Sequence, residues 1–189
     1  MCGITGLWNL NGEPVNPHMF DRFTDSLAHR GPDGRGVYVD AQLPLALGQR
    51  RLAIIDTSDT GRQPMPYVNG RYWIVYNGEL YNFLELREEL IKAGYTFTTD
   101  SDTEVILAAY DRWGKDCFLR FNGMWALAIW DSQEKELFIS RDRFGVKPMH
   151  YFYDGERFAF ASEMKAFLAL DWFPMEFDEE MIATALTHY

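Results

Sequence analysis

The second residue of the chain is a cysteine, and only a methionine precedes it in the opening stretch MCGITGLWNL. Removal of Met1 would leave Cys2 with both a thiol and a free α-amine. One residue could then supply a nucleophile and the base that activates it. The alternative is an ordinary cysteine at the end of an edge strand, and position alone does not choose between the two.

A second group of polar residues falls at the ends of predicted elements. Arg51 sits inside LALGQRRLAI, where its guanidinium could hold a carboxylate through two parallel hydrogen bonds. A predicted strand runs into Asn77 and Gly78, where a glycine turn would expose an N–H beside a side-chain amide, a pair that can hold an oxyanion. Glu79 and Asp102 are carboxylates that precede predicted helices. Together with a thiol, the guanidinium, the oxyanion-binding pair and the two carboxylates suit the binding of an α-amino acid that carries a reactive side-chain carbonyl.

Each of these residues also has a purely structural explanation. Arg51 could be an exposed cation on a strand edge, and Asn77-Gly78 is the commonest signal for a hairpin turn. Glu79 and Asp102 could simply be acidic residues at helix N-termini. Helical rather than strand-like sequence follows Asn77-Gly78, which weakens the hairpin explanation.

Composition excludes several classes of protein. The chain has 189 residues and a net charge of −10, which disfavours a nucleic-acid or anionic-membrane surface. Two cysteines cannot form a disulfide framework, and we find neither a signal peptide nor a membrane-spanning run, so a cytoplasmic location is expected. The four histidines are scattered and lack metal-ligand spacing, so we expect no metal site. The sequence also contains no phosphate-binding loop.

Hydrophobic periodicity predicts a layered α+β domain. Strands are expected over 3–9, 36–40, 45–54 and 71–78, with a helix from Pro17 towards Gly31. Two amphipathic helices follow, one starting at a capping Asn82 and the other capped by Ser101 or Asp102. After residue 122, four short strands suggest an antiparallel meander, followed by a short helix and the start of another.

Eight motifs, in order and at consistent spacing, resemble the glutaminase domain of glutamine-dependent asparagine synthetases, which are class II glutamine amidotransferases. They are CGI at 2–4, HRGPDG at 29–34, RLAIID at 51–56, QPM at 63–65, YNGELYN at 76–82, SDTEVIL at 101–107, RDRFGVKPMHY at 141–151 and ASEMKAF at 161–167. The resemblance implies the N-terminal nucleophile hydrolase fold, a four-layer αββα sandwich of two antiparallel sheets.

The resemblance also implies roles for individual residues. Cys2 would attack the glutamine side-chain amide, and its α-amine, with a reference pKa of roughly 7.7–8.0, would move the proton. Asn77 and Gly78 would hold the oxyanion. The remaining implied residues are Arg51 for the substrate carboxylate, Glu79 and Asp102 for its ammonium, Ile54 and Ile55 for main-chain groups of the glutamine pocket, and Arg30 and Asn82 as supporting residues.

The resemblance further implies that ammonia leaves this domain for an ATP-dependent synthetase domain of the full-length protein, which converts aspartate to asparagine. We expect a glutaminase domain over 1–170 and the start of a linker over 171–189. ATP and Mg²⁺ are expected only in the synthetase domain, and no cofactor in this chain. Another acceptor of the ammonia, a non-catalytic partner-binding role and a homodimer stay open.

Overall fold

The computed structural model describes residues 1–53, 59–176 and 179–188 of the chain. These ranges contain strands and α-helices that are numbered here in chain order. The strands are β1 (Gly3–Asn9), β2 (Gly34–Val39), β3 (Leu45–Arg51), β4 (Met65–Tyr67), β5 (Tyr72–Leu80), β6 (Gly123–Asp131), β7 (Glu136–Arg141), β8 (His150–Tyr153) and β9 (Arg157–Ala161). The helices are α1 (Pro17–Asp25), α2 (Phe83–Lys92), α3 (Asp102–Trp113) and α4 (Glu179–His188), with 3₁₀ turns at Asp59–Gly61, Gly114–Leu119 and Met164–Ala169.

The strands form two antiparallel sheets. The first has the order β2-β3-β1-β9-β8, and the second has the order β4-β5-β6-β7. Strand β1 is central in the first sheet, where Gly3 pairs with Arg50 of β3. Strand β5 pairs with β6 along its whole length, from Tyr72 opposite Asp131 to Leu80 opposite Gly123. Cys2 immediately precedes β1, and the end of β5 carries Asn77, Gly78 and Glu79.

Three hydrophobic clusters separate four layers, which confirms the predicted αββα sandwich. Helix α1 and the turn Met164–Ala169 pack on the outer face of the first sheet, and α2 and α3 pack on the outer face of the second. Between the sheets lies a third cluster, whose buried members include Ile4, Val75 and Trp130. Both sheets are therefore apolar on both faces, which explains why their strands show little alternation.

Local signals in the sequence explain where the helices begin and end. Asn16 accepts a hydrogen bond from the Met19 N–H at 3.1 Å, and Ser101 accepts one from the Thr103 N–H at 3.1 Å. These are the N-terminal caps of α1 and α3. Helix α3 ends at Gly114, whose φ of 57° is the left-handed conformation that glycine adopts most easily.

The structure corrects two predictions about the strands. Strands β8 and β9 belong to the first sheet, and β9 pairs with β1, so the expected four-strand meander is wrong. The predicted turn at Asn77-Gly78 is also wrong, because β5 continues through both residues to Leu80. The short strand β4, which contains Pro66 and lies in a predicted polar loop, was not expected.

The C-terminal part of the described chain holds helix α4, as the sequence predicts. Trp172 and Phe173, which fall in the expected linker, pack against the cluster that includes α1. In the ranges that the structure describes, no helix combines the length and the apolar character needed to cross a membrane.

Candidate active site

One cavity collects most of the predicted site residues at the place where the first sheet, the second sheet and α3 meet. Its volume is about 120 Å³, which is room for about four water molecules. Its described lining residues are Met1, Cys2, Gln49, Arg51, Leu52, Gly61, Gln63, Tyr76, Asn77, Gly78, Glu79, Ser101, Asp102, Thr103 and Lys147. The thiol, the guanidinium, the amide and both carboxylates named from the sequence therefore share one cavity.

Contacts with the backbone hold Cys2, which is the residue immediately before β1. Its sulfur accepts a hydrogen bond from the Leu52 N–H at 3.4 Å and lies 3.5 Å from the Leu52 carbonyl oxygen, to which the thiol can donate. Arg30 donates from Nε to the Cys2 carbonyl oxygen at 3.0 Å, and from its Nη1 to Glu163 at 3.0 Å. The side chain of Cys2 is half-buried and is a free thiol. A fixed backbone thus presents the sulfur to the cavity.

The end of β5 presents an unusual edge to the same cavity. At the two ends of β5, the Tyr81 N–H donates to the Asn122 carbonyl oxygen and the Arg71 carbonyl oxygen accepts from the Ser132 N–H. Because bonds in an antiparallel pair recur at every second residue, odd-numbered residues bond to β6, and the N–H groups of even-numbered residues point the other way. On that side the Tyr76 N–H donates to Gln63 Oε1 at 2.6 Å, and the Leu80 N–H donates to Asp102 Oδ2 at 3.0 Å. Gly78 lies between these two residues, and its N–H therefore points into the cavity that Gly78 lines.

Asn77 supplies a second donor beside that N–H. Its side chain points to the same face of β5 as Val75, which lies in the core between the sheets. Asn77 is 2% exposed, and its Nδ2 has no hydrogen-bond partner. Gly78 must be small for a different reason: an added Cβ would lie 2.3 Å from the Met124 carbonyl oxygen and 2.4 Å from Cε2 of Tyr76.

The electrostatics of the cavity centre on Asp102. Burial raises the pKa of Asp102, although hydrogen bonds from the Leu80 N–H, the Tyr76 hydroxyl and the Thr103 N–H work in the opposite direction. The Tyr76 hydroxyl donates to Asp102 Oδ2 at 3.1 Å. Burial, together with the charge of Asp102, raises the pKa of Tyr76 well above its usual range. Tyr76 therefore stays a neutral donor, and Asp102 is a buried acceptor held by three groups.

Arg51 and Glu79 both line the cavity and are both half-buried. Arg51 is the last residue of β3, and Glu79 lies near the end of β5. A neighbouring cavity of about 270 Å³ shares Arg51 and also contains Arg35 and Arg62. The arrangement offers a cation and two carboxylates for the charged ends of a small zwitterion.

Three other predicted residues need separate comment. Ile54 and Ile55 lie outside the described residues. Asn82 is the first residue before α2, but its side chain does not cap the helix as predicted. It donates to the Arg120 carbonyl oxygen at 3.0 Å and accepts from the Asn122 N–H at 2.9 Å, and it does not line the cavity. Its contacts fix the loop before β6 rather than the site.

Sequence reasoning missed several residues of the cavity. Gln49 donates to the Tyr76 carbonyl oxygen at 3.0 Å, and Gln63 donates to the Thr103 hydroxyl at 3.1 Å. Lys147 reaches the cavity from the loop after β7 and is 7% exposed. Its stretch, RDRFGVKPMHY, is charged and turn-like, and only the resemblance singled it out. A buried lysine cannot be told from a surface lysine in such a loop.

Comparison with known proteins agrees with this geometry. A family model described as the glutamine amidotransferase domain matches residues 1–189. The chain is 45% identical to asparagine synthetase [glutamine-hydrolyzing] 3 of Bacillus subtilis, over 89% of this chain and 28% of that protein. It is 41% identical to a putative asparagine synthetase [glutamine-hydrolyzing] 2 of Methanocaldococcus jannaschii, over 90% of this chain and 35% of that protein.

A solved structure matches the fold as well. The glutamine phosphoribosylpyrophosphate amidotransferase of Bacillus subtilis superposes with a TM-score of 0.76 at 25% identity, covering 89% of this chain and 43% of that one. The chain spans about a third of the length of each of the two synthetases named above.

Proposed function

The chain belongs to the family of glutamine amidotransferase domains, and from that membership we propose that it hydrolyses glutamine to glutamate and ammonia at Cys2. The observation that carries the proposal is the shared cavity. A free thiol, an unpaired amide of Asn77, the backbone of Gly78, one guanidinium and two carboxylates line it together. This is the set needed to bind an α-amino acid and attack its side-chain carbonyl.

The proposed reaction begins with attack of the Cys2 sulfur on the amide carbon of glutamine. The thiol proton passes to the α-amine of Cys2, which then returns it to the departing ammonia. The Gly78 N–H and the Asn77 amide hold the oxyanion that forms in between. Water then hydrolyses the thioester, releases glutamate and restores the thiol.

Arg51 binds the α-carboxylate of glutamine in this proposal, and Glu79 and Asp102 bind its α-ammonium. A planar guanidinium suits a carboxylate, because two parallel hydrogen bonds fix its orientation. Arg30 acts indirectly, since its Nε donates to the Cys2 carbonyl oxygen and so fixes the backbone that carries the thiol.

Removal of Met1 is part of the proposal. While Met1 is attached, the Cys2 nitrogen belongs to a peptide bond and cannot accept a proton. Active protein should therefore begin at Cys2, and its intact mass should lack the methionine. Full activity of protein that retains Met1 would refute the role assigned to the amine.

We further propose that the ammonia serves asparagine synthesis in a longer protein. The two synthetases that the chain matches are about three times its length. In this proposal their remaining part binds ATP, Mg²⁺ and aspartate, and this chain binds none of the three.

The test is glutamate release from glutamine by protein that begins at Cys2, measured beside Cys2→Ala. The proposal predicts release by the unchanged protein and none by the variant. Equal rates in both would overturn it. In the longer protein, glutamine-dependent amidation of aspartate with ATP would support the acceptor, and amidation of another acid only would replace it.

A further inference from the structure

Lys147 carries a buried positive charge that the reaction described above does not use. The residue is 7% exposed, and within the described ranges its Nζ has one hydrogen-bond partner, the Met1 sulfur at 3.5 Å. Among the residues that the structure describes, no carboxylate forms an ion pair with Lys147. A buried ammonium without a partner is costly. A thioether is a weak acceptor, so the Met1 sulfur compensates little of that cost.

Hydrogen bonds fix the backbone of the loop that carries Lys147, so the fold determines where this side chain lies. Asp142 accepts backbone hydrogen bonds from Phe144 at 3.1 Å, from Val146 at 3.0 Å and from Lys147 at 3.0 Å. Arg141 donates from Nε to the Lys147 carbonyl oxygen at 2.7 Å. Burial alone would raise the pKa of Asp142, but these backbone hydrogen bonds lower it overall. The Asp142 carboxylate thus anchors the loop.

The position of Lys147 relates it directly to the proposed base. Its ammonium touches the side chain of Met1, the residue joined to the Cys2 nitrogen. When Met1 is removed, Lys147 loses this hydrogen-bond partner, and Lys147 and Cys2 still line the same cavity. A nearby positive charge disfavours protonation of an amine. The amine must be unprotonated to accept the thiol proton.

Without the Lys147 cation, the other charges at the cavity would favour the protonated form of the amine. Glu79 and Asp102 would favour the protonated amine, and Arg51 balances only one of them. Among the residues that the structure describes, the charged and titratable groups at the Cys2 end are Arg30, Arg51 of β3, Tyr76 and Glu79 of β5, Asp102 of α3 and Lys147 of the loop after β7.

The cation of Arg30 cannot substitute for Lys147, because it is already paired with Glu163 at 3.0 Å. Lys147 has no carboxylate partner within the described part of the chain. Without Lys147, the described charged residues that line the cavity, Arg51, Glu79 and Asp102, sum to a net negative charge, which favours a protonated amine.

We propose that Lys147 is a positioning residue whose ammonium keeps the α-amine of mature Cys2 unprotonated. The inference rests on the proposed function, since it concerns the base of that reaction. The proton that leaves the thiol goes to the α-amine and from there to ammonia.

The test compares Lys147→Met, Lys147→Arg and the surface control Lys115→Met, all in protein that begins at Cys2. Lys115 is exposed and pairs with Glu136, so its replacement removes the same charge far from the cavity. In Lys147→Met, the acidic limb of the kcat/KM profile should move up by about one pH unit. The rate below that limb should fall about tenfold and should recover at high pH.

Lys147→Arg and Lys115→Met should keep the original limb. An unchanged limb in Lys147→Met, or an equal loss at every pH, would overturn the inference, because a purely structural role predicts loss without a shift. If Lys147→Met does not fold, Lys147→Gln carries the same comparison.

A second measurement does not depend on activity. In protein labelled with ¹⁵N-cysteine, the α-amine signal of Cys2 can be titrated directly, and the amide of Cys117 provides an internal reference. Loss of Lys147 should move that titration up by about one pH unit. If the unchanged protein does not release glutamate, the proposed function fails, and the titration still decides the inference about Lys147. An identical titration in both proteins would contradict it.

Discussion

Replacement of Asn77 by alanine should separate catalysis from stability. The Asn77 amide is 2% exposed, and its Nδ2 has no partner in the structure. An unsatisfied buried donor costs about 1–3 kcal/mol. The side chain borders an existing cavity, so its truncation extends that cavity rather than creating an enclosed one. The usual penalty for a new void is therefore small here.

The two effects of Asn77→Ala have opposite signs. Removing the unsatisfied donor returns up to about 1–3 kcal/mol, which offsets the lost packing, so the free energy of unfolding should change little or rise. Loss of one oxyanion donor should lower kcat about 10²- to 10³-fold, equivalent to about 3–4 kcal/mol of transition-state stabilisation. KM should change much less, since the donor acts on the oxyanion and not on the bound amide.

Gln63 provides the matched comparison, because the oxygen and the nitrogen of its buried amide each have a hydrogen-bond partner. It accepts from the Tyr76 N–H at 2.6 Å and donates to Thr103 at 3.1 Å. Gln63→Ala should destabilise the fold by about 1–3 kcal/mol, since a buried N–H then loses its acceptor. Denaturant unfolding and glutamate-release kinetics measure both quantities. If Asn77→Ala loses as much stability as Gln63→Ala and little kcat, the reasoning about the oxyanion is refuted.

Two further substitutions and one labelling reaction test other parts of the account. Gly78→Ala should lower both stability and activity, because its Cβ would lie 2.3 Å from a carbonyl oxygen of the neighbouring strand; an unaffected unfolding midpoint would contradict that contact. Burial alone would raise the pKa of Glu163, but hydrogen bonds from Arg30 and two other basic side chains hold it at about 2. Since this value is below the ordinary 4.5, the stabilisation is complete above about pH 5 and is lost as the pH falls towards 2. Glu163→Gln should remove about 1 kcal/mol at pH 7 and none near pH 2, and a stability difference that does not depend on pH would argue against this ion pair. Burial raises the pKa of Cys117 to about 12, so iodoacetamide at pH 8 should label Cys2 alone in folded protein, as peptide mapping can check.

Local patterns predicted the helices well but could not assign strands to sheets. The caps at Asn16 and Ser101 and the glycine at 114 lie close to the residues they affect, so the sequence contains the whole signal. The pairing of β9 with β1 joins residues more than 140 positions apart, such as Thr5 and Ala161. No periodicity within either strand specifies such a partner.

The prediction at Asn77-Gly78 failed for an instructive reason. A glycine after an asparagine is typical of a turn, but here the close approach of β6 requires the missing side chain. Both residues still lie at the cavity, although a strand edge and not a turn presents the Gly78 N–H. Lys147 could not be found from the sequence, because its burial depends on a loop anchored by Asp142 and on the distant Met1.

The most direct test of the account is acid quenching of the reaction between glutamine and protein that begins at Cys2, followed by intact-mass and peptide analysis. The account predicts a glutamyl thioester on the N-terminal cysteine, formed during turnover and absent from Cys2→Ala and from protein that retains Met1. Steady glutamate release without any adduct on Cys2, or with the adduct on Cys117, would contradict it.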